Sequence, residues 1–349
     1  MKKELLIASA LVGSVGLAGV AEAASMSLSG HQRIGITGSD TDGTAAAVKA
    51  GDIKTALSGS VSETTDSGIK LSTGFTILNE STGAASNNAS GLTLTFTDGS
   101  KLDLIKAGNA SGSHDVAPPA GSVEGALGYS SNNNAPGGID FVGSADQVGF
   151  EYHSVADALG VTGLKWGVSA AFNDEATTAV GGAFDTGYGV GVTYVTSAGD
   201  TSVTVGAGYA ASDYIGTSLT KDEAGGHIGV SAVTGDLTVA AAYGSGDTVG
   251  TSTTPTQNDM EATEMGVKYV SGDITFNVGY LSSSATDNSY GAAVATKDER
   301  KQTSASVDYV IASGVTGTIG YKDQEGKNEG TVTANDSGSS WYIGATISF

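Results

Sequence analysis

Along most of this chain apolar and polar residues alternate with a period of two. In Ile274-Thr275-Phe276-Asn277-Val278-Gly279-Tyr280 the apolar residues all fall on even numbers. Leu71, Phe75 and Ile77 share one face, against Lys70, Ser72 and Gly74 on the other. Trp341-Tyr342-Ile343-Gly344-Ala345-Thr346-Ile347-Ser348-Phe349 repeats the scheme at the C-terminus. Such alternation predicts half-buried β-strands. Sixteen runs can be traced, from Ser25–Thr37 to Ser339–Phe349. Among them are Ser90–Thr97, Gly187–Thr196, Ala262–Val270, Gln302–Ile311 and Val315–Asp323.

The connectors sort by parity. Each even-numbered run is followed by a turn, such as Asp98-Gly99, Thr234-Gly235-Asp236 or Ser271-Gly272. Each odd-numbered run is followed by a longer polar stretch, such as Gly38–Gly51, Ser245–Glu261 or Ser283–Lys301. Short turns on one rim and long loops on the other are what an up-and-down barrel crossing an outer membrane needs. A soluble sandwich has no reason to sort its loops this way. The predicted fold is therefore all-β: a transmembrane antiparallel β-barrel of about sixteen strands.

Gly108–Ala145, between the fifth and sixth runs, is far longer than an ordinary connector. With Pro118-Pro119, Asn132-Asn133-Asn134 and Pro136-Gly137-Gly138 it does not read as sheet. Two readings stand: an external excursion, or a segment folded inward to constrict a bore too wide for wall side chains to fill.

The two ends refine the compartment. Lys2 and Lys3, the apolar stretch Leu5 to Val20, and Ala21-Glu22-Ala23 read as a secretory signal peptide over residues 1–23, with the barrel occupying 24–349. A membrane anchor is the rival, but the stretch is short and carries Gly13, Gly16 and Gly19. The last strand closes on Phe349, which suits an interfacial aromatic girdle and is the candidate assembly signal, read by the barrel-assembly machinery.

Composition then removes function classes. Cysteine is absent, which excludes disulfide scaffolds, thiol catalysis and cysteine-based zinc sites. The 53 glycines disfavour helix. A net charge of −21 argues against nucleic acid as a partner, and removing residues 1–23 leaves it unchanged, because two lysines leave with two glutamates. None of the four histidines, His31, His114, His153 and His227, stands in a metal-binding motif, and no Gly-x-Ser-x-Gly elbow is present; the chain reads as no enzyme. No cofactor is expected. Asp40-Thr41-Asp42-Gly43 faintly resembles the opening of a calcium loop, and Asp174-Glu175, Asp222-Glu223 and Asp298-Glu299 offer further acids for structural Ca²⁺ or for bridging to lipopolysaccharide. The downstream ligand spacing of a calcium loop is absent, so Asp40–Gly43 reads as a solvated acidic turn, and the other acids form no nameable coordination set.

If the apolar phase of each strand faces lipid, the opposite phase places Arg33, Lys54, Lys70, Lys101, Lys165 and Lys268 in the lumen, with Asp103 and Asp308. A base facing lipid at mid-membrane would cost about 2–4 kcal/mol. Lys165, Lys268, Asp103 and Asp308 are accordingly pore-wall candidates; Lys70 and Lys101 lie close to turns and can instead touch headgroups. The acids of the long connectors (Asp40, Asp42, Asp174, Glu175, Asp185, Asp213, Asp222, Glu223, Asp247, Asp259, Glu261, Asp287, Asp298 and Glu299) are expected in outer loops, giving a mild cation preference at the mouth.

Ser27-Leu28-Ser29-Gly30 with Arg33, Ser58-Gly59-Ser60, Thr64-Thr65-Asp66-Ser67-Gly68, and the terminal Gly344-Ala345-Thr346-Ile347-Ser348-Phe349 resemble the alphaproteobacterial general porins, the Rhodobacter-like branch of the Gram-negative porin family. The resemblance runs over the whole mature length. It implies a homotrimeric outer-membrane channel for ions and small hydrophilic solutes, whose third long loop forms an eyelet with acids facing wall bases. In this chain the loop's charges are Asp115, Glu124 and Asp140, beside His114, and Arg33 and Lys54 are the candidates to oppose them. Two alternatives remain: a substrate-specific channel, for which no aromatic ladder is evident, and an adhesive surface β-protein, which would need a short repeat that is absent.

Overall fold

The structure, a computed structural model, describes residues 24–41, 48–80, 86–107, 109–122, 139, 147–172, 183–215, 223–249, 256–289, 296–328 and 336–349. The signal peptide assigned to residues 1–23 lies outside these.

The chain folds as a closed sixteen-stranded antiparallel barrel. In order, the first eight strands are β1 Ser25–Thr41, β2 Val48–Thr64, β3 Lys70–Glu80, the interrupted β4 (Ser86–Ala89 and Leu92–Thr95), β5 Lys101–Ala107, β6 Gln147–His153, β7 Leu164–Phe172 and β8 Ala183–Ala198. The next eight are β9 Thr201–Ile215, β10 Glu223–Thr234, β11 Leu237–Val249, β12 Thr256–Ser271, β13 Ile274–Ser289, β14 Thr296–Ala312, β15 Val315–Asn328 and β16 Asp336–Ser348. Each pairs with its sequence neighbours, and β16 returns to β1 through a register running from His31↔Ser348 to Thr41↔Gly338. Both pieces of β4 pair with β3, so they are one strand broken at Ser90-Gly91.

Burial is inverted relative to a water-soluble sheet protein. The large apolar side chains are the exposed ones, Ile34 at 54% and Ile319 at 59% among them, while small and polar residues such as Ala262, Ser304, Arg33 and Asp52 are buried. The exposed phase is the lipid face. On β8 it reads Tyr188, Val190, Val192, Tyr194, an aliphatic centre between two tyrosines about 20 Å apart along the strand. Tyr209, Tyr243, Tyr280, Tyr321 and, at the other rim, Tyr269, Phe276 and Tyr309 continue two aromatic girdles. Tyr152 and Trp166 pair there at a ring separation of 5.2 Å.

The short turns are built alike. At Asp98-Gly99 the Asp98 carboxylate accepts hydrogen bonds from the Ser100 amide and hydroxyl, and Gly99 takes a φ of 91° that a side chain would resist. Those two bonds, the hydroxyl's first, hold the Asp98 carboxyl below the usual carboxylate range.

The strands outrun the sequence reading on the long-loop side. The run Ala262–Val270 is the lower part of β12 (Thr256–Ser271), Gln302–Ile311 belongs to β14 (Thr296–Ala312), and Val315–Asp323 to β15 (Val315–Asn328). Above the membrane neither face meets lipid, so the alternation stops while the ladder hydrogen bonds continue. This corrects the placing of the acids: Asp40, Asp185, Asp213, Glu223, Asp247, Asp259, Glu261, Asp287, Asp298 and Glu299 lie on strand ends, not in loops. Asp42, Asp174, Glu175 and Asp222 lie outside the described residues.

Candidate functional site

The described part of the long loop, residues 109–122, lies against the inner wall. A stripe of wall glycines receives it. A Cβ built on Gly191 would overlap the Ala110 carbonyl oxygen, on Gly206 that of His114, on Gly244 that of Ile139, and on Gly266 that of Pro119, each well inside 3.0 Å. Side chains would therefore displace the loop. Hydrogen bonds fix its course: the Ala110 amide donates to Ser169 Oγ at 3.0 Å, His114 Nδ1 meets Thr193 Oγ1 at 2.8 Å, and the Gly121 amide donates to Ser304 Oγ at 3.0 Å. The segment thus crosses the wall from β7 to β14.

One turn of 3₁₀ helix, Gly112–His114, aims two loop groups at the wall. Burial pushes the His114 imidazole below its usual value, helped by the nearby Lys165 and other histidines. Asp115 is raised, chiefly by burial. Its Oδ1 sits 3.9 Å from Nδ1 of His227 on β10, and His227 Nε2 is 3.0 Å from the Ser111 carbonyl oxygen. Glu264 on β12 approaches from the next part of the wall.

The remaining site candidates fall as follows. Arg33 is buried on β1 and paired with Asp52 of β2, Nε to Oδ2 at 2.6 Å and Nη2 to Oδ1 at 3.1 Å. Lys54 lies opposite Arg33 on the ladder, on the same inner phase. Lys165 of β7 stands opposite Thr193, beside the loop. Lys268 of β12 is exposed to the lumen between Thr238 and Asn277. Asp308 accepts hydrogen bonds from Asn277 Nδ2 at 3.0 Å and Thr318 Oγ1 at 2.6 Å. Asp103 meets His153 Nε2 at 2.8 Å. Glu124 and Asp140 lie outside the described residues, as does Asp42 of the calcium-like turn.

Asp115 and the bases expected to oppose it are not brought into contact. Asp115 turns to His227 on β10, across the ring from β1 and β2, and Arg33 takes its acid from the neighbouring strand. A wall carboxylate two residues from Lys54 was the competing partner that residue types alone did not reveal. Two wall bases also escaped the sequence reading, Arg300 on β14 and Lys322 on β15, which interact electrostatically. Alternation would have found Lys322, which follows the lipid-facing Tyr321. Arg300 was hidden because its strand end read as loop. With Arg33 and Lys54 they form a basic arc over β14–β2, which the described loop reaches only at β14.

Comparison with known proteins agrees with this architecture. The sequence matches the family model described as Gram-negative porin over residues 8–348. No curated relative matches it. Among solved structures, the anion-selective porin from Comamonas acidovorans aligns with 94% of this chain and 100% of its own at 13% identity, TM-score 0.63. A mutant of the Rh. blastica porin aligns with 93% and 100% at 13% identity, TM-score 0.59. The trimer form of OmpT of Vibrio cholerae aligns with 94% and 100% at 14% identity, TM-score 0.58. The chain belongs to the Gram-negative porin family, and it is a channel-forming β-barrel of the bacterial outer membrane.

Proposed function

We propose that this porin is a passive, non-catalytic diffusion channel whose bore is narrowed by the 108–145 loop and whose mouth mildly favours cations. The observation that carries this reading is the glycine stripe on β8–β13, which accepts a loop backbone inside a closed barrel. A groove matched to a loop over so many strands has no use if the loop swings outside. Function on this reading is geometry plus field, with no bond made or broken.

The acids on the outer strand ends raise the local cation concentration at the mouth. Lys54 and Lys322 lie further along their strands and pull the other way. At about 0.15 M salt the Debye length is roughly 8 Å, so mouth charges act weakly on an ion already at a distant constriction. Cation preference at low salt should therefore fade as salt rises. Reversal potentials across planar bilayers under a salt gradient test this, and anion preference at low ionic strength would overturn it. Excising 111–134 should raise single-channel conductance; unchanged conductance in an intact barrel would place the loop outside the bore.

A homotrimer is the assembly this reading favours. On the lipid face of β1–β3, Gln32, Thr55 and Asn79 stand in one ladder row, and Thr55 Oγ1 donates to Gln32 Oε1 at 2.7 Å. The described outward positions of these strands carry no Tyr or Trp, while β6–β16 carry the girdles. A polar row without a girdle suits contact with a second copy better than contact with lipid.

A further inference from the structure

At the foot of the loop the inner wall gathers Asp103 of β5 with Glu151 and His153 of β6. Asp103 and Glu151 are direct partners on the ladder, and His153 follows on the same face. His153 Nε2 lies 2.8 Å from Asp103 Oδ2 and 3.7 Å from Glu151 Oε1. One donor atom from each residue lies within 4.8 Å of the other two. Nitrogen and oxygen ligands held about 2.0–2.2 Å from a tetrahedral ion are about 3.3–3.6 Å apart, so small rotations would close this set around one.

Charge points the same way. Two carboxylates placed directly opposite on a ladder repel, and the Glu151 side chain is only 4% exposed. Among the described residues no lysine or arginine forms a salt bridge with either acid, and Lys101 acts on Asp103 only at longer range. Their other partners are hydroxyls: Ser113 Oγ donates to Glu151 Oε1 at 2.5 Å, and Thr93 Oγ1 donates to Asp103 Oδ1. Those bonds orient the carboxylates without neutralising them, as outer-shell donors do around metal ligands. A protonated His153 would balance one negative charge. A divalent cation on a neutral imidazole balances both.

We propose that Asp103, Glu151 and His153 bind one divalent cation of the zinc class. The imidazole selects zinc-like ions over calcium and magnesium, which prefer all-oxygen shells. The ion enters from the lumen, where Asp103 and His153 are 27% and 29% exposed, and water completes the shell. Ser113 connects the site to the loop, so an ion here would stiffen the loop where it leaves the wall of β5 and β6.

The test is calorimetric titration of the tag-free, chelator-stripped full chain in detergent with Zn²⁺, which reads binding independently of conductance. One saturable site per chain is expected, undiminished by equal Mg²⁺ or Ca²⁺. Glu151→Gln and His153→Gln should each weaken it by about tenfold or more. Should either variant fail to fold by circular dichroism, Asp103→Asn, at a more exposed position, decides. Absence of a saturable site, equal affinity for Ca²⁺, or unchanged affinity in the folded variants would overturn the proposal.

Discussion

Arg33 and Asp52 meet end to end across β1 and β2, two guanidinium nitrogens on two carboxylate oxygens at 2.6 and 3.1 Å, with both side chains almost wholly withdrawn from solvent. A planar fork on a carboxylate fixes both side chains against the barrel seam. Replacing the acid removes both of these bonds from a buried guanidinium. Asp52→Asn should lower stability by about 3–5 kcal/mol, whereas Arg33→Met with Asp52→Leu should recover much of that loss. Equilibrium denaturation in detergent reads both; equal losses in the single and double variants would mean the pair contributes through shape alone.

The glycine stripe makes a second expectation specific. Gly191→Ala and Gly266→Ala each introduce a Cβ that overlaps a loop carbonyl oxygen, and overpacking of this kind costs about 1–3 kcal/mol. The loop should shift toward the pore axis and lower conductance. Gly51→Ala, with nothing within 4 Å of its Cβ, should leave conductance and stability unchanged. Equal behaviour of all three in single-channel recording would show that the loop is not seated by the stripe.

How far the sequence foretold this molecule depends on where lipid acts. The membrane imposes period two, so the lower halves of the strands and the short turns were legible, down to Asp98-Gly99. Above the membrane the constraint lapses, and strand ends such as 256–261 and 296–301 read as loop. The inner phase was legible for Arg33, Lys54, Lys165 and Lys268, because a charge avoids lipid. Pairing was not. Asp52 stands two residues from Lys54 and Glu151 two residues from His153, and only the registers of β1–β2 and β5–β6 bring their partners to them. The glycines of the loop's seat were counted as poor helix formers, since nothing in one sequence says which backbone approaches which.

The C-terminal residue joins the seam through its backbone. Gly30 and Phe349 exchange two hydrogen bonds of 3.0 Å, and the Phe349 ring lies over Gly30 on the outer face. Deleting Phe349 removes both bonds and the ring where the ladder closes. Outer-membrane yield should fall severalfold, while Asp98→Asn in a turn should leave it near normal. Quantitative blotting of membrane fractions checks this, and normal yield of the deletion would refute a terminal assembly signal.

If the row Gln32, Thr55, Asn79 faces another copy, Thr55→Arg should convert trimers to monomers and Thr55→Leu should not. An arginine there would bury an unpaired charge in the contact between copies, which costs far more than burying a leucine. Light scattering in detergent reports the mass. A folded Thr55→Arg protein of unchanged mass would show that this row faces lipid.

The contact between Asp115 and His227 makes loop docking depend on pH. The Ser111 carbonyl can only accept, so His227 Nε2 carries a proton and a neutral ring presents a lone pair at Nδ1. That lone pair faces Asp115 Oδ1 across 3.9 Å, and neither atom has another hydrogen-bond partner among the described residues. A proton on Asp115 makes the contact favourable; without it, two lone pairs oppose. The sign follows from Asp115, whose carboxyl is raised by burial from its ordinary value of 3.8. A carboxyl raised in the docked state favours docking fully below that ordinary value and loses this contribution as pH rises through the raised one. Glu264 adds repulsion once both acids are ionised. Open-channel current noise should therefore grow as pH rises above that ordinary value, as the loop leaves the wall more often. Asp115→Asn keeps the shape, removes the titration and should flatten the profile, while Lys268→Gln, elsewhere on the wall, should preserve it. The same pH dependence in Asp115→Asn would assign the noise to other groups and leave this contact a passive one.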